Sequence, residues 1–448
     1  MTALHELGVI DAAAALRGGQ ISSVELTRAL LDRIGQLEPS LKAWVTLDEQ
    51  GALARAAAAD ARRALGGNLP PLLGVPYGLK DIYLTQTMPT TAGFGPLADW
   101  VAGRNASCVD RLAAAGAVLV GKTVTTQFAT ADPPPTRNPW NASRTPGGSS
   151  SGSAAAVAAR MVPAAVGSQT GGSILRPAGY CGVVGIKPSY GLVSRRDVLP
   201  LAWTLDHPGP MARSVADAAL MLEVMAGYDP GDPASRAAPV PALAAAAARP
   251  RKPRLGLLTD VMERSQPDVR AHIQSAATKL ISAGALVEET TLPRPFDVFF
   301  AVHRLTMQSE AAAVHLFGIA EQRDHYSPRI RSEAMVGQLV PAPIYLHSQR
   351  VRRQLVAAMD DLFAQYDALL LPTASNVAPD PDTTGDMSFQ ALASLMGTPA
   401  ISLPSGLNAD GLPFATQLIA GRFEEARLIG AAAWCEQALA FRAAPPLG

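Results

Sequence analysis

Apolar positions recur with two different periods along the chain, and their alternation outlines a fold before any single residue is considered. Leu26, Leu30, Ile34 and Leu37 keep helical spacing behind Ser22, which Glu25 follows three residues later; a capping box therefore opens an amphipathic helix expected to end at Pro39. A strand is expected over 43–47, a helix over about 51–65, a helix over 110–115 and a buried strand over 117–120. The pattern continues with an Ala-rich helical stretch at 154–161, strands at 162–166 and 182–187, and a helix from 214 to about 225. After a Pro/Ala-rich connection over 230–254, expected to be an exposed excursion, comes a strand at 255–258. Helices dominate from about 266 to 366, with Pro267 opening one and 344–366 forming another. Strands at 368–371, 400–403 and 414–419 and a helix over 424–439 close the chain. Such alternation on both sides of a helical middle argues for one α/β domain over residues 1–448, a mixed sheet covered by helices.

Charge changes this picture by exclusion. The 38 Lys and Arg balance the 38 Asp and Glu, and charged residues make up only 17%, which argues against nucleic acid or an anionic membrane as partner and for a small neutral molecule. Cys108, Cys181 and Cys435 lie far apart, with no metal-type pairing to the seven histidines, and read as buried apolar residues in a reducing compartment. No cofactor or metal site is expected. The first residues lack the cationic head and apolar core of a signal peptide, and no apolar run reaches the roughly 18 residues of a membrane span. A cytoplasmic protein is expected.

Chemistry concentrates in residues 145–177. Two Gly/Ser-rich turns, GGSSSG at 147–152 and GSQTGGS at 167–173, flank a core-like Ala/Val segment, an arrangement that a flexible linker does not have. Glycines let successive N–H groups converge on one point, as an oxyanion requires. Upstream, Lys80 closes an apolar run bounded by Gly74 and Gly78, so its ammonium points into packed protein unless it snorkels to the surface. Two other strings mislead. Gly116 to Thr123 spells a P-loop, but its four intervening residues are themselves the expected strand. Gly148 to Gly152 spells the GxSxG nucleophile elbow, but a proline-punctuated loop precedes it, and neither His207 nor His303 carries a recognisable partner pattern.

The two serine turns, the phrase GVPYGLKD at 74–81 and the phrases between 182 and 225 together resemble the amidase signature family of serine hydrolases, most closely over 70–228. The resemblance implies a three-layer α/β/α fold and hydrolysis of a C–N bond, with ester or carbamate cleavage open. It implies Ser173 as nucleophile, Ser149 as bridging serine after a cis peptide bond, and Lys80 as base. Ser149 precedes Ser173 by the family's 24 positions (173 − 149). The backbone amides of Thr170, Gly171, Gly172 and Ser173 are the oxyanion candidates. A lysine base must be neutral, and lowering a pKa of about 10.4 by about 3 units corresponds to roughly 4 kcal/mol. Asp81 beside it should face the other way along an extended strand. Where the family carries Asp four residues before the nucleophile and Arg two after it, this chain has Gln169 and Leu175, with Arg176 one place later; a paired replacement is expected. Gln127 likewise stands in place of a glutamate.

Tyr77, Met88, Phe94, Gln169 and Leu175 are the pocket candidates, and the 266–366 region is the candidate substrate-facing cap. The partner expected is a small-molecule substrate, the chain acting as monomer or homodimer. Three rivals remain: an amidotransferase A-like protein that needs partner subunits, an inactive binding scaffold, and a cysteine hydrolase using Cys181.

Overall fold

Eleven strands form one mixed sheet: β1 (Trp44–Leu47), β2 (Pro76–Lys80), β3 (Val118–Thr123), β4 (Ala164–Gln169), β5 (Val184–Lys187), β6 (His207–Ala212), β7 (Arg254–Leu258), β8 (Leu286–Thr290), β9 (Ala368–Pro372), β10 (Ala400–Leu407) and β11 (Pro413–Ile419). Their order across the sheet is β1-β3-β2-β4-β6-β5-β10-β11-β9-β7-β8. The structure, a computed structural model, describes residues 3–447. β2 runs parallel to β3 and β4, and β7 parallel to β8 and β9, while the remaining pairs are antiparallel.

Side-chain alternation shows why the sheet is covered on both faces. Leu370, Ile401 and Leu418 belong to one core, with the helices Val9–Arg17, Val215–Met225, Pro267–Ser282 and Glu425–Leu439. Their neighbours Leu369, Leu371 and Ile419 join a second core under Phe296–Gln322, Ala342–Phe363 and Ser388–Met396. Ser151–Ala158, buried along its whole length, covers the same side nearer β4. Strands buried on both faces read as continuous apolar runs such as ALLLP, and the result is the expected three-layer α/β/α arrangement.

Several boundaries differ from the sequence expectation. The first long helix, Ser23–Leu41, carries the expected capping box but continues past Pro39. That proline lies in the last turn, and the helix stops only where Lys42 turns left-handed (φ 53°) and the Glu38 carboxylate accepts the amides of Ala43 and Trp44. β4 starts two residues late and takes Gly167, Ser168 and Gln169 from the expected turn into the sheet. β6, HPGPMA, escapes a periodicity search because of its two prolines; β5 pairs only with Met211 and Ala212, so Pro208 and Pro210 face no second ladder. More than half of the residues in the 230–254 connection are exposed, but the segment is anchored at points. Asp232 is held by Arg195 at 2.7 Å, and Leu243 and Ala247 of a short helix are buried.

β2 and β3 are joined by more than their ladder. The Lys122 Nζ lies 2.9 Å from Asp81 Oδ1 with both side chains fully buried, and Asp81 also accepts the Thr91 amide (3.1 Å) and hydroxyl. Gly121, Lys122 and Thr123 belong to β3, which removes the phosphate-loop string. Removing one member of a buried ion pair leaves an uncompensated charge. Lys122→Met should therefore lower unfolding free energy by about 3–5 kcal/mol in urea titrations, and adding Asp81→Asn should restore most of the loss.

Candidate active site

The site lies at the C-terminal ends of β2 and β4. Lys80, last residue of β2, is fully buried, and its Nζ lies 2.8 Å from Ser149 Oγ and 2.8 Å from Ser168 Oγ. Ser149 follows a cis Gly148–Ser149 peptide, and Ser168 projects from β4. Burial holds the Lys80 pKa well below the ordinary lysine value, against a smaller opposing pull from the Asp206 carboxylate. Asp81 faces away, committed to Lys122. The amine is thus surrounded by hydroxyls and has no ion-pair partner among the described residues.

Ser173 lies across the Ser149 loop, since the Ser150 amide donates to the Ser173 carbonyl at 3.3 Å. The segment 169–173 has all five of its carbonyls occupied. His207 Nδ1 reaches Gln169 O (3.3 Å) and Leu205 O (2.5 Å), His303 Nε2 reaches Thr170 O (3.0 Å), and Ser394 Oγ donates to Gly171 O (2.8 Å). The Arg176 amide takes Gly172 O at 2.9 Å. A carbonyl only accepts, so those two ring nitrogens carry the hydrogens. Burial lowers both histidine pKa values, that of His303 to about 4, and keeps the rings neutral. With the carbonyls drawn outward, the amides of Gly171, Gly172 and Ser173 donate to no group among the described residues, although the segment is buried. Buried amides require an acceptor, and three in succession form an anion-binding concavity. A Cβ at Gly171 would lie 2.5 Å from Met387 Sδ, and one at Gly172 would meet the Gln390 carboxamide, so either neighbour would have to shift.

Gln169 and Arg176 brace the two serine turns separately. Gln169 Oε1 accepts the amides of Ile174 and Leu175, each at 3.0 Å, capping the helix Leu175–Cys181, while its Nε2 donates to Ser394 Oγ. Arg176, 3% exposed, donates to Gly148 O (2.6 Å), Gly385 O (2.7 Å) and Thr384 Oγ1 (3.2 Å), and so braces the turn that carries Ser149.

Two cavities meet at Thr170. One of about 380 Å³ is lined by Ser173, Gly171, Arg176, Phe300, Met307 and Met387; one of about 240 Å³ by Ser168, Asp206, His207, Arg195 and Trp203. Ala129, Thr170 and Leu201 border both. Asp206 is fixed by the Thr170 hydroxyl (2.5 Å) and the amides of Leu201 and Ala202. Burial nevertheless raises its pKa to about 6.

The structure therefore joins Lys80 to Ser149 and sets Thr170, Gly171 and Ser173 along the cavity, but corrects the pocket. Tyr77 and Met88 lie in one core beneath the sheet, Leu175 in the opposite one, and Phe94 in a separate aromatic cluster. None of them, nor Gln169, lines the cavity at Ser173, because the two-sided sheet consumes apolar residues near the motifs as core. Gln127 also lies off the site and ties Gly93 to His325 and Ser327. Cys181 is buried, and burial pushes its thiol pKa far up, which leaves no thiolate for a cysteine mechanism. Sequence reasoning missed Ser168, although it sits inside the second glycine turn, and also Asp206, His207, His303 and Ser394. Only the last four come from segments whose proximity no local pattern reveals.

Comparison with known proteins bears directly on this geometry. A family model described as Amidase matches residues 25–429. The chain belongs to the amidase signature family. The A component of glutamyl-tRNA(Gln) amidotransferase from Roseiflexus sp. (strain RS-1) is 39% identical over 472 residues, covering 96% of each chain. Among solved structures, this amidase-family chain is similar to the native peptide amidase of Stenotrophomonas maltophilia (TM-score 0.86, 33% identity, 98% of each chain). It is also similar to a chain from a vestigial protein complex that reveals the evolutionary origins of an s-triazine catabolic enzyme (TM-score 0.91, 31% identity, 96% of this chain and 98% of that one). Among the described residues, no helix is long and apolar enough to cross a membrane, and no group of three or more His, Cys, Asp or Glu side chains is placed to hold a metal ion.

In ¹³C spectra of aspartate-labelled protein, one carboxyl should titrate near pH 6, and that resonance should be missing from Asp206→Asn; titration of every aspartate below pH 5 would contradict the buried setting of Asp206.

Proposed function

We propose that this chain hydrolyses the C–N bond of a small carboxamide through an acyl-enzyme on Ser173. The observation that carries the reading is a buried amine of lowered pKa, 2.8 Å from the Ser149 hydroxyl, together with three consecutive amides, ending at Ser173, that have no partner among the described residues. Ser173 Oγ attacks the carbonyl carbon as its proton passes to Ser149 Oγ, whose own proton passes to Lys80 Nζ. The carbonyl oxygen gains negative charge and takes hydrogen bonds from the amides at 171–173. Return of the proton along the same relay protonates the leaving nitrogen; the C–N bond breaks and leaves an ester on Ser173. Water, deprotonated by the same route, cleaves that ester and regenerates the hydroxyl. Ser168 is the second acceptor that orients the neutral amine. His303 and His207 act as positioning residues for the oxyanion segment. Esters and carbamates enter the same sequence, because only the leaving atom differs.

A second reading is favoured by the curated relatives, which are the A components of amidotransferases at 37–39% identity over 96% of this chain. In that case glutamine is the carboxamide and the chain works with other subunits. Glutamine turnover that appears only when a copurifying partner is present would select this reading. An inactive scaffold fits less well, since the chain keeps Lys80, Ser149 and Ser173.

On a panel of aryl amides, primary amides, esters and carbamates, Ser173→Ala should lower kcat/KM by about 10³-fold or more, and unchanged turnover would remove the assignment. The base works when neutral, so kcat/KM should rise with pH and level off well below the 10.5 of a free lysine. Lys80→Met should lose about 10²- to 10⁴-fold, together with that acid limb.

A further inference from the structure

We propose that Lys187 is a positioning residue for the oxyanion segment: it holds the His207 ring in the tautomer that grips the Gln169 carbonyl. The proposal rests on the hydrolase reading for its effect on turnover, but the link between the two side chains stands on separate observations.

Three lysines are fully buried among the described residues, and two of them are accounted for, Lys80 by serine hydroxyls and Lys122 by Asp81. The third is Lys187, at the end of β5. Its Nζ donates to the Pro188 carbonyl at 2.9 Å and to no other acceptor among the described residues. An ammonium has three hydrogens to give, so two remain unspent. Glu425, at the start of the helix Glu425–Leu439, is the carboxylate whose field Lys187 senses, but its Oε1 is taken by the Ser189 amide at 2.7 Å and no ion pair joins the two. Burial lowers the Lys187 pKa to about 7 against that carboxylate.

Register brings this amine beside His207. β5 and β6 are antiparallel with Gly185 opposite Met211, so two residues further on Lys187 comes opposite Gly209. The close approach continues there, since a Cβ on Gly209 would lie 3.1 Å from Pro188 Cδ. Residues 207, 209 and 211 share one face of the strand, which makes His207 the diagonal neighbour of Lys187 on that face. The histidine has the matching deficit. Its Nδ1–H is committed to the carbonyls of Leu205 and Gln169, which leaves Nε2 a lone pair, and that atom is buried with no partner among the described residues.

A buried acceptor without a donor thus stands next to a buried donor with hydrogens to spare, and a small side-chain rotation or one bridging water joins them. A positive charge at Lys187 also opposes a second proton on the ring, whose pKa burial already depresses. Both effects keep the single hydrogen on Nδ1, the atom that faces Gln169. The other titratable or charged groups against the ring are Tyr190, edge-on at 5.5 Å, and Arg195, which is paired with Asp232; both come from the loop between β5 and β6.

The test combines kinetics on the amide panel with a spectroscopic readout. Lys187→Met, paired with Glu425→Gln so that no buried carboxylate is stranded, should lower kcat about tenfold with little change in KM, because oxyanion contacts tighten in the transition state. Lys187→Gln in the same background keeps an N–H donor and should retain more activity. His207→Asn should lower kcat by a similar factor, and adding the Lys187→Met/Glu425→Gln pair to it should cost nothing further, since the lysine acts through the ring. Losses that multiply, or an unchanged kcat in Lys187→Met/Glu425→Gln while Ser173→Ala abolishes turnover, overturn the proposal and leave the hydrolase reading intact. The second readout needs neither turnover nor a lysine variant. In ¹⁵N spectra of histidine-labelled protein, the His207 Nε2 signal, identified by its absence from His207→Asn, should be that of an unprotonated nitrogen and should shift as Lys187 sheds its charge near pH 7. That shift in a protein that cleaves no amide upholds the link as the hydrolase reading fails. A ring protonated on Nε2, or a signal indifferent to pH between about 5 and 9, overturns it.

Discussion

Burying one amine without an ion-pair partner among the described residues is the constraint around which the rest of this structure is arranged. Each pKa unit of depression costs about 1.4 kcal/mol of differential solvation, and a single carboxylate within about 4 Å of Lys80 would undo it. The chain has an aspartate immediately after that lysine and draws it away with Lys122, so two buried lysines on neighbouring strands have opposite surroundings. Gln169 caps the following helix without bringing a negative charge into the site. Asp206, whose charge Lys80 does sense, is wrapped by a hydroxyl and two amides and is itself pushed toward its protonated form.

Much of this was legible in the chain because it is written locally. The capping box at Ser22, the paired glycine turns, the setting of Lys80 and the outward direction of Asp81 follow from neighbours a few residues away. The resemblance of the same phrases to a known family added the roles. What failed was of two kinds. β6 is carried by proline and glycine, so no period marks it, and only its place between β4 and β5 makes it a strand. The pocket was sought among apolar residues close to the motifs, whereas its lining comes largely from Phe300 to Met307 and Thr383 to Met387, far away in sequence.

The middle of the chain accordingly acquires a defined relation to the site. The helices Phe296–Gln322 and Pro328–Gln338 supply Phe300, Arg304, Met307 and Arg329 to the cavity wall, and Gln127 fastens the bend between them to the loop at Gly93. One of those helices also carries His303, whose ring holds the Thr170 carbonyl. Variation in this region can thus alter what is bound while the amine and its hydroxyls remain unchanged.

The outward-held carbonyls of residues 169–171 answer to three separate stretches of chain: β6, the helix beginning at Phe296, and the helix Ser388–Met396. A nascent polypeptide leaving the ribosome will have made its lysine and both serines long before the last of these emerges. The three-point hold on this segment is consequently absent from truncated or half-synthesised products.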